Sequence, residues 1–142
     1  MSALTKDSVL ALHALQLMSK MNRAVTTEEI AHSSGYDGVS VARVIRRMKR
    51  AGVVRSHPRV GFALAKSPGE ISMREIIDAV DSPKAPEAPC GGDSSSCDTR
   101  ASCILAPLCR QANEAFRKTL KEFTLSELVD APLGLPTCVA PR

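Results

Sequence analysis

Three cysteines fall within the fourteen residues CGGDSSSCDTRASC, residues 90–103, at the spacing Cys90-x6-Cys97-x5-Cys103. Their neighbours are glycine, serine, aspartate, threonine, one arginine and one alanine, so the stretch has nothing with which to build a core of its own. Thiolates bind soft metals and exchange as disulfides. A metal centre would order such a segment directly, because each thiolate–metal bond replaces many weak contacts. Cys109 follows six residues after Cys103, and Cys97-x5-Cys103-x5-Cys109 is an equally regular triplet. If Cys103 and Cys109 share a helix they stand about 240° apart and face different sides, which weighs against that register. Cys138 stands alone near the C-terminus and reads as incidental. Four thiolates also suit tetrahedral zinc, and reactive thiols can pair reversibly. A zinc or thiol-oxidation sensor is therefore the alternative use of the same residues.

A second set of residues points to a polyanion. Arg43, Arg46, Arg47 and Arg50 recur at helical spacing in VSVARVIRRMKRAG. Two positions away, Val41, Val44, Ile45 and Met48 form one apolar stripe. Two residues turn a helix by about 200°, so the guanidinium face is opposite the apolar one. Arginine suits phosphate oxygens and guanine edges because its planar fork bonds two acceptors at once. Residues 1–66 carry eleven Lys or Arg against four Asp or Glu, a net +7, and residues 67–142 carry eight against eleven, a net −3. The polyanion partner therefore belongs to the first half.

These residues need elements to position them. The spacing of Leu10, Ala14, Leu17, Met18 and Met21 predicts a helix over about 5–21. Thr26 and Glu29 have capping-box spacing ahead of a short second helix that Gly35 stops. The arginine helix opens near Val39 or Ser40 and ends at Gly52. Val53 and Val54 begin a strand, 57–61 form a turn, and 62–65 return as a second strand. Three helices followed by a hairpin with Arg55, His57 and Arg59 at its tip read as a winged helix-turn-helix. Thr26, Ser40, Arg43, Arg46, Arg47, Arg50, His57 and Arg59 are the candidate DNA contacts.

Ser72 and Glu75 repeat the capping box before an apolar face of Ile76, Ile77 and Val80. PKAPEAP then reads as an extended connection. From about 101 to 123 a helix of about 23 residues, about 34 Å long, carries Leu105, Leu108, Ala112, Ala115, Phe116, Leu120 and Phe123 along one side. An arm of that length beside so small a unit reads as a dimerisation helix. The expected organisation is a winged-helix domain over 1–81, a linker and cysteine loop over 82–100, a dimerisation helix with its end cap over 101–130, and a flexible tail over 131–142. The fold class is mainly α with a small β-hairpin.

Length, 142 residues, and 44% hydrophobic content allow one aliphatic core with an appended arm. No apolar run reaches the roughly 18 residues of a membrane helix and nothing resembles a signal peptide, which implies a cytoplasmic chain without a membrane partner. In that reducing compartment an odd five cysteines favour metal or redox chemistry over structural disulfides. No Gly-rich phosphate loop or nucleophile–base arrangement is present, so an enzyme is not expected.

In order and spacing, LTKDSVLALHAL, TTEEIAHSSGY, VSVARVIRRMKRAGVV, EISMREIIDAVD, the three cysteines and TLSELV resemble the bacterial winged-helix regulators that include IscR, NsrR and RirA, over roughly 4–130. The resemblance implies a homodimer on a double-stranded DNA operator. It also implies an iron–sulfur cluster held by Cys90, Cys97 and Cys103 that senses iron, redox state or nitric oxide. IscR-like members place a histidine three residues after the third cysteine; here that residue is Ala106, followed by Pro107. NsrR-like members use an N-terminal aspartate of the partner subunit. Asp7 is the candidate fourth ligand here, although Val9 occupies the matching register, and His13 and His32 are weaker candidates. Three cysteines without a firm fourth ligand favour a 4Fe–4S cluster, with 2Fe–2S as the other form. The wing SHPRVGF departs from the family's glycine-rich turn but keeps Arg59 and Gly61.

Overall fold

The computed structural model describes residues 4–81 and 103–129. Helix α1 spans Lys6–Met21, α2 Thr27–Ser34 and α3 Gly38–Arg50. Strands β1 (Val54–His57) and β2 (Gly61–Leu64) form an antiparallel hairpin. A 3-10 turn, Pro68–Glu70, leads to α4 (Met73–Val80). Helices α5 (Leu105–Glu122) and α6 (Leu125–Val129) complete the described chain. The expected linker, Cys90 and Cys97 within the loop, and the tail with Cys138 lie outside the described residues.

Each of the first helices starts where its cap dictates. The Thr5 hydroxyl accepts from the Ser8 N–H, and Asn22 closes α1 in the left-handed region at φ 48°. Thr26 and Glu29 form the complete capping box expected of them, and Gly35 ends α2 at φ 75°. Ser72 caps α4 through the Glu75 N–H, but the reciprocal half of that box is missing: the Glu75 carboxylate turns instead to Lys66 Nζ, 2.6 Å away.

The one-sided stripe expected of α1 is broader in the structure. Leu10, Ala11, Leu12, Ala14, Leu15 and Met18 are all buried, while Met21 is exposed. The reason is position: α1 is the central helix, packed against α2, α3, α4, α6 and β2 at once. The stripe of α3 is as expected, with Val41, Val44, Ile45 and Met48 buried.

The hairpin is fastened to the helices by a third short strand segment. Val25 and Phe62 exchange both backbone hydrogen bonds, each at 2.8 Å. Gly61 makes this approach feasible. Its φ is 136°, and a Cβ there would stand 2.3 Å from the Val25 carbonyl oxygen.

Helix α5 is shorter than the sequence suggested. It runs for 18 residues, about 27 Å, because Cys103 and Ile104 precede it and Phe123 is already extended. Pro107 fits within its first turn, where a missing N–H costs nothing. The expected apolar side is partly uncovered: Leu105, Leu108 and Phe123 are exposed, while Phe116 and Leu120 are half-buried. After α5 the chain returns to the core. The Met73 N–H donates to the Phe123 carbonyl at 2.9 Å and the Leu125 N–H to the Ile71 carbonyl at 2.8 Å, and Leu125 is fully buried.

Candidate nucleic-acid interface and cysteine segment

Asp37 starts α3: its carboxylate accepts from the Ser40 N–H at 2.8 Å and from the Ser40 hydroxyl at 2.7 Å. These bonds hold its carboxyl below the usual range. Ser40 is half-buried, and its hydroxyl is engaged within the cap. Thr26 is likewise engaged, its hydroxyl oxygen accepting from the Glu29 N–H at 3.2 Å. Both residues stand at the start of a helix, where a backbone phosphate is commonly received.

The four arginines of α3 divide into two pairs. Arg43 and Arg47 reach Asp7 in the first turn of α1, at 2.8 and 3.2 Å. Arg47 also donates to the Val80 carbonyl in the last turn of α4 at 2.8 Å. Arg46 and Arg50 are exposed and have no carboxylate partner among the described residues. The outward face thus keeps two unpaired cations and two that are tethered but still solvent-accessible.

The wing presents its own cations. The Val60 N–H donates to the His57 carbonyl at 3.0 Å across a turn with Pro58 and Arg59 at its centre. Arg59 lies at φ 64°, a conformation usually given to Gly or Asn. Its side chain and Val60 are exposed, and His57 is half-buried. At the base of the wing Arg55 and His57 line a groove with Arg23 and Lys66. Arg23 is held by Glu29 at 2.6 Å and Lys66 by Glu75.

Beside α3, three chain segments meet at one polar junction. The Asp81 carboxylate accepts from the Thr5 hydroxyl at 2.6 Å and from the Ser8 hydroxyl. Burial, and then the charge of Asp7, push the Tyr36 phenol up from its ordinary value. The start of α1, the basic face of α3 and the end of α4 are therefore bonded together. The chain leaves this junction at Asp81 toward the cysteines. Sequence reasoning passed over Asp81, Asp37 and the exposed Val39. The Asp37–Ser40 spacing was a readable cap signal, whereas a contact 73 residues apart has none.

Of the three expected cysteine ligands, Cys103 is described. It is half-buried and lies one residue ahead of the N-cap of α5. Cys109, also half-buried, is on α5 itself. Among the described residues no three His, Cys, Asp or Glu side chains gather as metal ligands. Asp7 is occupied by two guanidiniums, and service as a ligand would require their release. Burial lowers the His13 pKa, and His32 is exposed on α2. Among the described residues no helix is long and apolar enough to cross a membrane.

Comparison with known proteins gives this geometry a setting. The family model described as Rrf2, iron-dependent transcriptional regulator, matches residues 4–131. The HTH-type transcriptional repressor NsrR of Streptomyces coelicolor is 30% identical over 136 residues, covering 92% of this chain and 90% of that protein. Among solved structures, CymR, the global cysteine regulator of B. subtilis, superposes with a TM-score of 0.70 at 17% identity, covering 94% of this chain and all of the other. T. potens IscR superposes with a TM-score of 0.68 at 16% identity, covering 96% of each. The structural likenesses establish the winged-helix fold. The matched relatives are named as regulators rather than enzymes. The chain belongs to the Rrf2 family of DNA-binding transcriptional regulators.

Proposed function

We propose that the chain is a dimeric regulator that binds a double-stranded operator through α3 and the wing, and that an iron–sulfur cluster on Cys90, Cys97 and Cys103 sets its DNA affinity in response to iron, redox state or nitric oxide. Three thiolates in a segment without core-forming side chains fit such a group, and the half-buried Cys103 ahead of α5 supplies one of them. When bound, the cluster would supply a centre that iron shortage, oxidants or nitric oxide can dismantle. Arg43, Arg46, Arg47 and Arg50 with Arg59 supply the phosphate and base contacts, Thr26, Ser40 and His57 the adjoining ones. The uncovered apolar residues Leu105 and Leu108 of α5 suit a second copy of the helix.

The observation that carries the reading is the Arg47–Val80 bond beside Asp81, where the cysteine segment departs. A recognition helix bonded to the last turn of α4 is placed to follow any rearrangement of the segment that α4 leads into. The test is anaerobic purification with iron and sulfide assays and a visible spectrum. A coloured protein with stoichiometric iron and sulfide, lost on substitution of Cys90, Cys97 or Cys103 and kept in Cys109→Ala, is expected. A colourless protein that takes up no iron on reconstitution would transfer the cysteines to zinc or thiol sensing.

A further inference from the structure

Val39 is 78% exposed in the first turn of α3. On a helical wheel it stands about 170° from the centre of the buried Val41, Val44, Ile45 and Met48 stripe. It therefore occupies the middle of the outward face, on the side shared with Arg43 and Arg46. None of the described residues covers it, and a β-branched residue contributes no helix propensity in return. Its neighbours are already partnered: the Ser40 hydroxyl holds Asp37 at 2.7 Å and Arg43 holds Asp7 at 2.8 Å. In the first turns of this face, Val39 is the large apolar side chain that the described residues leave exposed.

A recognition helix meets base edges with its N-terminal residues. The major groove offers one apolar feature, the C5-methyl of thymine. The flanking guanidiniums match a polyanion and would be stranded against an apolar protein surface. We propose that Val39 packs on a thymine methyl of the operator and makes that thymine a sequence requirement. The assignment rests on the reading of α3 as the DNA-contacting helix.

The test begins with duplexes selected from a random pool by the full-length protein, iron-loaded and iron-free. Each thymine of the selected half-site is then replaced by uracil, which deletes the methyl and keeps every hydrogen-bonding group. One replacement should weaken wild-type binding about fourfold, the value of one apolar group left unburied. Val39→Ala, with an unchanged melting temperature, should bind the thymine and uracil duplexes equally. Indifference of the wild type to every uracil replacement would overturn the assignment, as would an equal loss in Val39→Ala at the same position. A wild-type protein that selects no sequence would remove the DNA reading of α3 itself, and the Val39 contact with it.

Discussion

The Asp7 carboxylate, in the first turn of α1, accepts from Arg43 Nη2 at 2.8 Å and from Arg47 Nη1 at 3.2 Å. Two of the four arginines of α3 are thereby shared with a neighbouring helix. Asp7→Ala should release both toward phosphates. The slope of log affinity against log salt concentration is expected to steepen by about one to two counterions, with tighter binding at low salt. The stability cost should be small, about 0–1 kcal/mol for each of these half-exposed pairs. A salt slope identical to wild type would show that neither arginine gains a phosphate contact when Asp7 is removed. Loss of iron from the variant would assign Asp7 to the cluster instead.

Arg46 and Arg47 are adjacent in sequence and differ in attachment. Arg46→Ala should weaken DNA binding and leave the melting temperature unchanged, because that side chain is exposed and has no ion-pair partner among the described residues. Arg47→Ala should also destabilise the fold by about 1 kcal/mol, since the Val80 carbonyl loses its donor. Equal melting temperatures for the two variants would show that solvent replaces the Arg47–Val80 bond without loss.

Much of this was legible in the sequence because it depends on neighbours a few residues apart. The caps at Thr26 and Ser72, the buried stripe of α3 and the hairpin around Pro58 follow from spacing alone. The full burial of α1 did not, because it depends on four other helices and a strand closing around Leu12 and Leu15. The pairing of Arg43 and Arg47 with Asp7 joins residues 36 and 40 positions apart, and a periodicity reading of α3 sees only that they face outward. Glu75 was read as half of a capping box, yet a lysine at electrostatic reach competes better for its carboxylate than a neutral N–H. The end cap read with the dimerisation helix places Leu125 in the same core as α1, through a backbone bond to Ile71 that no side-chain pattern announces.

Gly61 connects fold to wing. Gly61→Ala would put a methyl group against the Val25 carbonyl at a backbone angle that L residues avoid. The Val25–Phe62 bridge must open to admit it. A destabilisation of about 1–3 kcal/mol from the backbone angle is expected, with more from the clash. DNA affinity measured well below the melting temperature should fall as the wing shifts. Wild-type stability would mean that β2 can slide away from Val25 at no cost.

Glu29 provides the pH dependence. Its carboxylate is bonded to Arg23 at 2.6 Å and to the Thr26 N–H at 2.8 Å, and these bonds lower its pKa from 4.5 to about 2, Arg23 first. A carboxylate whose pKa falls on folding contributes stability that is complete above 4.5 and is lost as the pH drops through about 2. The group is half-exposed and screened by salt, so the effect should be modest. Glu29→Gln keeps the shape of the cap but loses the charge. Its melting temperature should be lower than wild type at neutral pH, and the difference should close between pH 4.5 and about 2. A constant difference across that range would mean that packing of the side chain stabilises α2 and that the ion pair to Arg23 contributes nothing.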